Sequence, residues 1–422
     1  NLLTSTLDDN RKENRTLHLM SEEDALSKVQ KYLHRQGIDR LSPIARKVER
    51  EGTPNRRNVV LVFMESMSAN LMGTFGSDKK LTPYLDSLYQ QSLSFSHFYS
   101  SGIHTNHGIY STLYSFPAIM KRNAMKGSVI PVYSGLPTVL QENGYCNLFF
   151  MTHESQYDNM NAFLRTNGFD EIYAQENYPS EKVVNSFGVQ DDFMYQYALP
   201  ILNERAGTGN PFFSVLLSIS NHPPYVIPPY FHPHSDVLEE QIVEYADWSI
   251  RQFMQAAEKQ PWFDNTIFVF LGDHGKMVGT PECEMPQSYN HIPLMIYGKD
   301  IKPGVYDGFG GQVDVSPTLL GLLNISYLQN NFGVNLLEEE RPCMFFTADN
   351  LIGARDSVNM FIYSPDSQQE FKYKLEEGKL HAATGTDEEA FRNLKDYCFS
   401  MLQSTESLVK EHKTLDKVSV KK

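Results

Sequence analysis

The sequence predicts an α/β protein: a mostly parallel sheet sandwiched by helices, with a small antiparallel sheet plus helix towards the C-terminus. Three observations carry this. Short continuous apolar runs recur from residue 58 onwards, among them NVVLVFM at 58–64, CNLFFM at 146–151 and TIFVFLG at 266–272, and such runs mark strands buried on both faces. Helically spaced stretches lie between them, and that alternation implies a parallel sheet covered by helices. After about residue 335 the texture changes to short strand-like pieces split by turns.

Residues 1–57 read as a helical arm and linker. Ser21 with Asp24 makes a capping-box-like start, Ala25, Val29, Tyr32 and Leu33 follow at helical spacing, and REGTPNRRN reads as the linker. Residues 58–335 read as the main α/β domain. LSFSHFY, PFFSVLLS and IPLMIYG supply further strands, and TPYLDSLYQQ and EYADWSIRQFMQAAEKQ supply helices, the second burying a face with Tyr245, Trp248, Phe253 and Ala256. Residues 336–422 read as a small α+β subdomain and tail. PCMFFTADN, NMFIYSP and EFKYKLEEGKLHAA are its strands. Thr386 with Glu389 is a second capping box, opening a helix with Phe391, Leu394, Tyr397, Met401 and Leu402 inward, and the lysine-rich end frays.

Composition narrows the function. The 422 residues are 41% hydrophobic and 12% aromatic, enough for a large folded core. A net charge of −14 and a pI near 5.4 argue against nucleic acid or an anionic membrane surface as an electrostatic partner, because both require a basic face. An anionic substrate would then need a local cation, for which a metal ion is the obvious candidate. Cys146, Cys283, Cys343 and Cys398 form no CxxC pair, so a thiolate zinc site is not expected; Cys146 is expected in the core. No run reaches the length of a membrane span and no signal peptide is present, while the first residue is Asn, so a processed chain or excised fragment fits.

In open α/β sheets, functional groups gather just beyond the C-terminal ends of the strands. NVVLVFME ends in Glu65, FFSVLLSISNH ends in Asn221 and His222, and TIFVFLGDHG ends in Asp273 and His274. SSGIHTNHGIYS, residues 100–111, follows another strand and places Thr105 and Asn106 where a helix opens. Taken singly, each has a bland reading. Glu65 alone suits a helix N-terminus, Thr105 or Asn106 alone suits an N-cap, and His222 before Pro-Pro suits a turn. The Asp–His pair between glycines is harder to explain unless both groups are bound or exposed. With Glu65 and Thr105 it makes an oxygen-and-imidazole set suited to Mn²⁺, Mg²⁺ or Zn²⁺. A divalent ion lowers the pKa of a coordinated hydroxyl, so Thr105 becomes a candidate nucleophile towards phosphorus. Asn106 and the helix N-terminus would then hold phosphate oxygens, and His222 would move the proton of the leaving or accepting oxygen.

These motifs, in this order over about residues 58–335, resemble the sulfatase/alkaline-phosphatase superfamily, and within it the lipoteichoic acid synthase and phosphoglycerol transferase branch. YSPDSQQEFKYKLEEGKL resembles the small C-terminal sheet of that branch. The resemblance implies an alkaline-phosphatase-like fold and a single Mn²⁺ held by Glu65, Thr105, Asp273 and His274, with Thr105 as nucleophile and His222 at the substrate. It implies a phospholipid donor, a glycan or lipid acceptor, and a bacterial extracytoplasmic domain that normally follows membrane helices.

Two departures qualify it. His104 stands where the family often has Arg. In HESQYDNMNAFLRTNGFDEIY His153 is kept, but Ser155, Met160 and Ala162 replace the Asp, Trp and Arg of lipoteichoic acid synthases proper. This is closer to the phosphoglycerol transferase pattern and favours headgroup transfer over polymer synthesis. Arg165 is then a candidate replacement cation, Asp158 and Asn159 are headgroup contacts or turn residues, and His291 is a phosphate contact or a satisfied strand-end histidine. HTNHGIY lacks the C/S-x-P-x-R setting of a formylglycine sulfatase, which argues against sulfatase chemistry. A phosphoethanolamine transferase, a phosphodiesterase and a binding protein that kept the fold are the remaining alternatives.

Overall fold

The structure, a computed structural model, describes residues 17–38, 41–127, 129–376, 378–383 and 388–415. Its centre is an eight-stranded mixed sheet built from β1 (Asn58–Met64), β2 (Leu93–Tyr99), β3 (Cys146–Met151), β4 (Glu171–Tyr173), β5 (Phe212–Leu217), β6 (Thr266–Gly272), β7 (Leu294–Tyr297) and β8 (Gly304–Gly311), in the order β8-β2-β7-β6-β1-β5-β3-β4. All neighbours run parallel except β7, which is antiparallel to both β2 and β6.

β1 shows why the apolar runs form central strands. All seven of its residues are buried, and successive side chains point to opposite faces. Val59, Leu61 and Phe63 enter one core cluster, Val60, Val62 and Met64 the other. The second face is covered by α2 (Pro83–Gln91), α4 (Asp191–Ala206) and α5 (Leu238–Ala257), the first by α3 (Thr105–Tyr114) and α6 (Val315–Leu322). On α5, Tyr245 and Phe253 are buried as expected, whereas Trp248 and Ala256 are half-buried.

A five-stranded antiparallel sheet follows, formed in sequence order by β9 (Met344–Thr347), β10 (Ile352–Arg355), β11 (Asn359–Ser364), β12 (Gln369–Glu376) and β13 (Lys379–Ala382). α7 (Glu388–Lys410) packs on it with Phe391, Leu394, Tyr397, Met401 and Leu402 buried. Thr386 of the expected capping box and the end of the tail, residues 416–422, lie outside the described residues, as do residues 1–16 of the arm. The helix α1 (Glu22–Tyr32) is N-capped by Ser21, whose hydroxyl accepts from the Asp24 amide, and it packs along α7. All four cysteines are free thiols, and Cys146 is half-buried, because it opens β3 beside Glu171. No helix among the described residues is long and apolar enough to cross a membrane.

One buried ion pair ties the main sheet to this C-terminal part. Arg341 donates to both Asp314 oxygens (2.8 and 2.6 Å), to the Phe332 carbonyl and to the Tyr397 hydroxyl of α7, and Arg341 and Asp314 are 5% and 0% exposed. Removing one partner strands the other charge in the interior. Arg341→Ala is expected to lower unfolding stability by about 3–5 kcal/mol, measured by denaturant titration of the purified protein.

Candidate active site

The turns after β1 and β6 lie side by side because these two strands are parallel neighbours in register, with Met64 opposite Gly272. Glu65 and Asp273 therefore emerge together, 2% and 0% exposed. The turn at Glu65 is sharp: Ser66 adopts a left-handed φ of 51°, a conformation uncommon outside glycine. That turn aims the Ser66 amide at Asp273 Oδ1 (2.8 Å) and its hydroxyl at Glu65 Oε1 (2.7 Å). The His274 amide also donates to Asp273 Oδ1 (2.8 Å), and Ser218, just beyond β5, accepts the Glu65 amide (3.0 Å). Asp273 Oδ2 is left buried with no hydrogen-bond partner.

His274 completes the cluster. Its Nδ1 donates to the Gly275 carbonyl (2.7 Å), so the Nε2 lone pair faces Asp273 Oδ2 at 3.6 Å and Glu65 Oε1 at 3.8 Å. Donor atoms of Glu65, Asp273 and His274 all fall within 4.8 Å of one another. Burial, and next the charge of Asp273, push the Glu65 carboxyl well above the ordinary glutamate range. Two adjacent buried carboxylates with an unsatisfied oxygen are unfavourable unless a cation joins them. The donor set fits a divalent ion.

Thr105 reaches the same point from α3. The helix is capped by the extended backbone of His104, which makes no side-chain cap bond, and Thr105 is its first residue. Thr105 and Asn106 are thus not N-caps, and the Thr105 hydroxyl is directed at Glu65 Oε2, 3.4 Å away. α3 can come this close because Gly108 has no side chain: a Cβ there would lie 2.3 Å from the Asp273 carbonyl. Gln312 locks the arrangement, accepting from the Ser101 amide ahead of α3 and donating to the Asp273 carbonyl (2.6 Å).

His153 and His222 follow the same tautomeric pattern as His274. Each donates Nδ1–H to the carbonyl of the next residue, Glu154 (3.0 Å) and Pro223 (2.6 Å), which leaves Nε2 as an acceptor. His222 lies against Phe187, with ring centroids 4.2 Å apart, and His153 against Tyr157 at 4.9 Å. Burial lowers the pKa of His153.

Other expected site residues are placed differently. Asn106 donates to Asp158 Oδ2 (3.1 Å), whose other oxygen accepts from Lys126 (2.8 Å). Asp158 therefore holds Asn106 in place. Asn159 bonds the Met125 carbonyl, and both turn residues have positive φ. Arg165 is exposed and bonds Asn161 and the Asp170 carbonyl, so it does not join the cluster. His291 is also elsewhere: its Nε2 bonds the Ser96 carbonyl (2.9 Å), its ring sits between Tyr99 and Phe75, and burial takes its pKa down to about 4. It is the satisfied strand-end histidine.

Two neighbours were not anticipated. Lys276, directly after the Asp–His–Gly motif, donates to Asn221 (2.5 Å), and burial pulls its ammonium down to about 8. Asp349, in the turn between β9 and β10, receives a 2.6 Å bond from His104 Nε2, so the C-terminal sheet touches the residue preceding Thr105. Where the resembled family often has Arg, this chain places a histidine with a carboxylate partner.

Comparison with known proteins gives the family and the fold. A family model described as Sulfatase matches residues 57–325. The solved structure of a protein in the alkaline phosphatase superfamily from Vibrio parahaemolyticus superposes with a TM-score of 0.84 at 24% identity, covering 96% of this chain and 99% of the other. The lipoteichoic acid synthase LtaP from Listeria monocytogenes superposes with a TM-score of 0.73 at 22% identity, covering 91% and 98%. Among curated sequences, the lipoteichoic acid synthase-like YvgJ of Bacillus subtilis is 25% identical over 76% of this chain and 55% of its own length. Lipoteichoic acid synthase of Staphylococcus aureus is 24% identical over 83% and 58%. The chain thus spans little more than half the length of these curated relatives.

Proposed function

This chain belongs to the sulfatase family, and on that footing we propose that it is a metal-dependent phosphoglycerol transferase acting outside the bacterial cytoplasmic membrane. The observation that carries the reading is the Thr105 hydroxyl set against Glu65, beside the unpartnered Asp273 oxygen and the Nε2 lone pair of His274. The donor is a phosphatidylglycerol-like lipid and the acceptor a glycan or lipid hydroxyl.

Glu65, Thr105, Asp273 and His274 would hold the divalent ion, expected to be Mn²⁺ with Mg²⁺ or Zn²⁺ as alternatives. When bound, it lowers the hydroxyl pKa and offsets charge on the phosphoryl oxygens. Thr105 Oγ forms a bond to phosphorus as the bond to the diacylglycerol oxygen breaks, leaving a phosphoglycerol ester on the threonine. Asn106, fixed by Asp158, and the first amides of α3 face the phosphoryl oxygens. His222 Nε2, free as an acceptor, takes up the proton released by Thr105 and passes it to the departing diacylglycerol oxygen. It then accepts the proton of the acceptor hydroxyl, whose attack on phosphorus breaks the bond to Thr105 Oγ, and that proton returns to the threonine oxygen. His153 lines the headgroup side.

Donor choice tests the reading. Incubated with Mn²⁺ and fluorescently tailed lipids, the protein is expected to release diacylglycerol from phosphatidylglycerol at least about tenfold faster than from phosphatidylethanolamine, a difference of about 1.4 kcal/mol. Preference for the ethanolamine lipid would instead make it a phosphoethanolamine transferase. Metal-dependent cleavage of a nitrophenyl phosphodiester with neither lipid consumed would make it a hydrolase.

A further inference from the structure

We propose that the groove between α2 and the start of α5 is a carbohydrate-binding site that seats the acceptor glycan. This rests on the transferase reading above and names the acceptor's class. The groove encloses about 1060 Å³ and is separate from the Glu65–Asp273–His274 cluster. Its lining combines the rings of Tyr84, Tyr230, Phe231 and Trp248 with charged groups that include Lys80 and Arg251.

Two features point to a sugar. The aromatic surface is open: Tyr230 is 57% exposed, and Phe231 and Trp248 are half-buried with centroids 5.5 Å apart. Among the described residues, neither the Trp248 indole N–H nor the Arg251 guanidinium has a hydrogen-bond or ion-pair partner, so both remain available as donors. A pyranose has an apolar C–H face to lie on an aromatic ring and hydroxyls at its edge to meet such donors. An acyl chain would leave the charged groups desolvated without partners.

The groove is mechanically continuous with the reaction centre. One loop, residues 218–237, runs from the His222 turn to the start of α5. Two adjacent carboxylates of α4 hold it at two points. Asp191 accepts from the amides of Ile219 (2.8 Å) and Ser220 (3.3 Å), just ahead of His222. Asp192 accepts from the hydroxyls of Tyr230 (2.8 Å) and Tyr245 (2.5 Å), beside the groove. Between them, Tyr225 places its ring 5.7 Å from Lys276 Nζ. A glycan lying on Tyr230 and Trp248 is thus seated on the loop that carries the acceptor base.

The chain has two tryptophans, and Trp262 is 4% exposed, so Trp248 dominates any ligand-induced change in emission. Cellohexaose and maltohexaose are titrated into the intact protein and into Thr105→Ala, following tryptophan emission and heat. Saturable binding of at least one hexasaccharide is expected in both proteins, with affinity about tenfold weaker in Arg251→Ala and in Tyr230→Ala. Arg251 is exposed and, among the described residues, acts on its neighbours Asp247 and Tyr84 through its charge alone, so its removal does not threaten folding. Binding of neither sugar at millimolar concentration overturns the proposal, as does equal affinity in both variants. Emission changes with monomeric short-chain phosphatidylglycerol but with neither sugar also overturn it. If the transferase reading alone is wrong, the intact protein binds sugar but turns over neither lipid; if the groove assignment alone is wrong, it turns over phosphatidylglycerol but binds neither sugar.

Discussion

Thr105→Ala is expected to lower turnover of phosphatidylglycerol by about 10³–10⁶-fold, with the fold and most of the metal affinity intact. Ser66, also beside the cluster, donates its hydroxyl to Glu65 Oε1 and sits on a left-handed turn. Asn106 is bound to Asp158. Thr105 heads α3, and its side chain adds only a 3.4 Å contact to Glu65, so truncation removes little packing. Thr105→Ser keeps the oxygen and is expected to retain turnover within about one or two orders of magnitude. Metal titration of the alanine variant separates a lost nucleophile from a lost ligand: kcat collapses while the metal still binds. Equal losses in the serine and alanine variants would mean that the β-methyl group, not the hydroxyl, is what the site uses.

The second large effect runs in opposite directions for two observables. Glu65→Gln is expected to stabilise the metal-free protein by about 1–4 kcal/mol and to weaken metal binding at least about a hundredfold. Burial and the neighbouring Asp273 raise the Glu65 pKa. In metal-free protein the folded state therefore keeps a proton that the unfolded chain has released. Stability is then highest below the ordinary glutamate value and falls as pH rises from there through the raised folded value. Glutamine cannot ionise, so this loss is expected to disappear in the variant. Thermal melts in chelator from pH 4 to pH 8 read the slope, and the same melts with Mn²⁺ read the binding, since a ligand that binds only the folded state raises its stability. A variant that is less stable without metal at neutral pH would show that the Glu65 charge is already balanced by the protein itself.

The sequence was legible where the chemistry is local. The strands announce themselves because β1, β5 and β6 are buried on both faces and so read as unbroken apolar runs. A polar residue directly after such a run must lie at the strand's end, and that placed Glu65, His222, Asp273 and His274 correctly relative to the sheet. The turn at Thr105 was visible for a related reason: small and polar residues crowd the entry to a helix whose first turn lies against a neighbouring backbone.

What escaped was set by side-chain direction and by long-range contact. His291 begins a strand at the right end of the sheet, but its ring turns to the Ser96 carbonyl on the neighbouring strand. Arg165 is close in sequence to His153, yet the helix places it on its exposed side. Asp158, read as a headgroup contact or a turn residue, is a turn residue whose bond to Asn106 no local pattern announced. The partner of His104 lies 245 positions away in the C-terminal sheet, and no periodicity links the two. Lys276 stood immediately after the Asp–His–Gly motif and could have been considered from position alone. The antiparallel insertion of β7 likewise left no trace in its own apolar run, since direction is decided by the connections and not by the strand.

The most direct test of the central claim is an intact-protein mass spectrum after incubation with Mn²⁺ and phosphatidylglycerol and an acid quench, with Thr105→Ala in parallel. The account predicts a glycerol-phosphate increment on the unmodified protein, mapping to residues 100–111 and absent from the variant. Lipid turnover with no increment on the protein, or an increment that persists in Thr105→Ala, would contradict it.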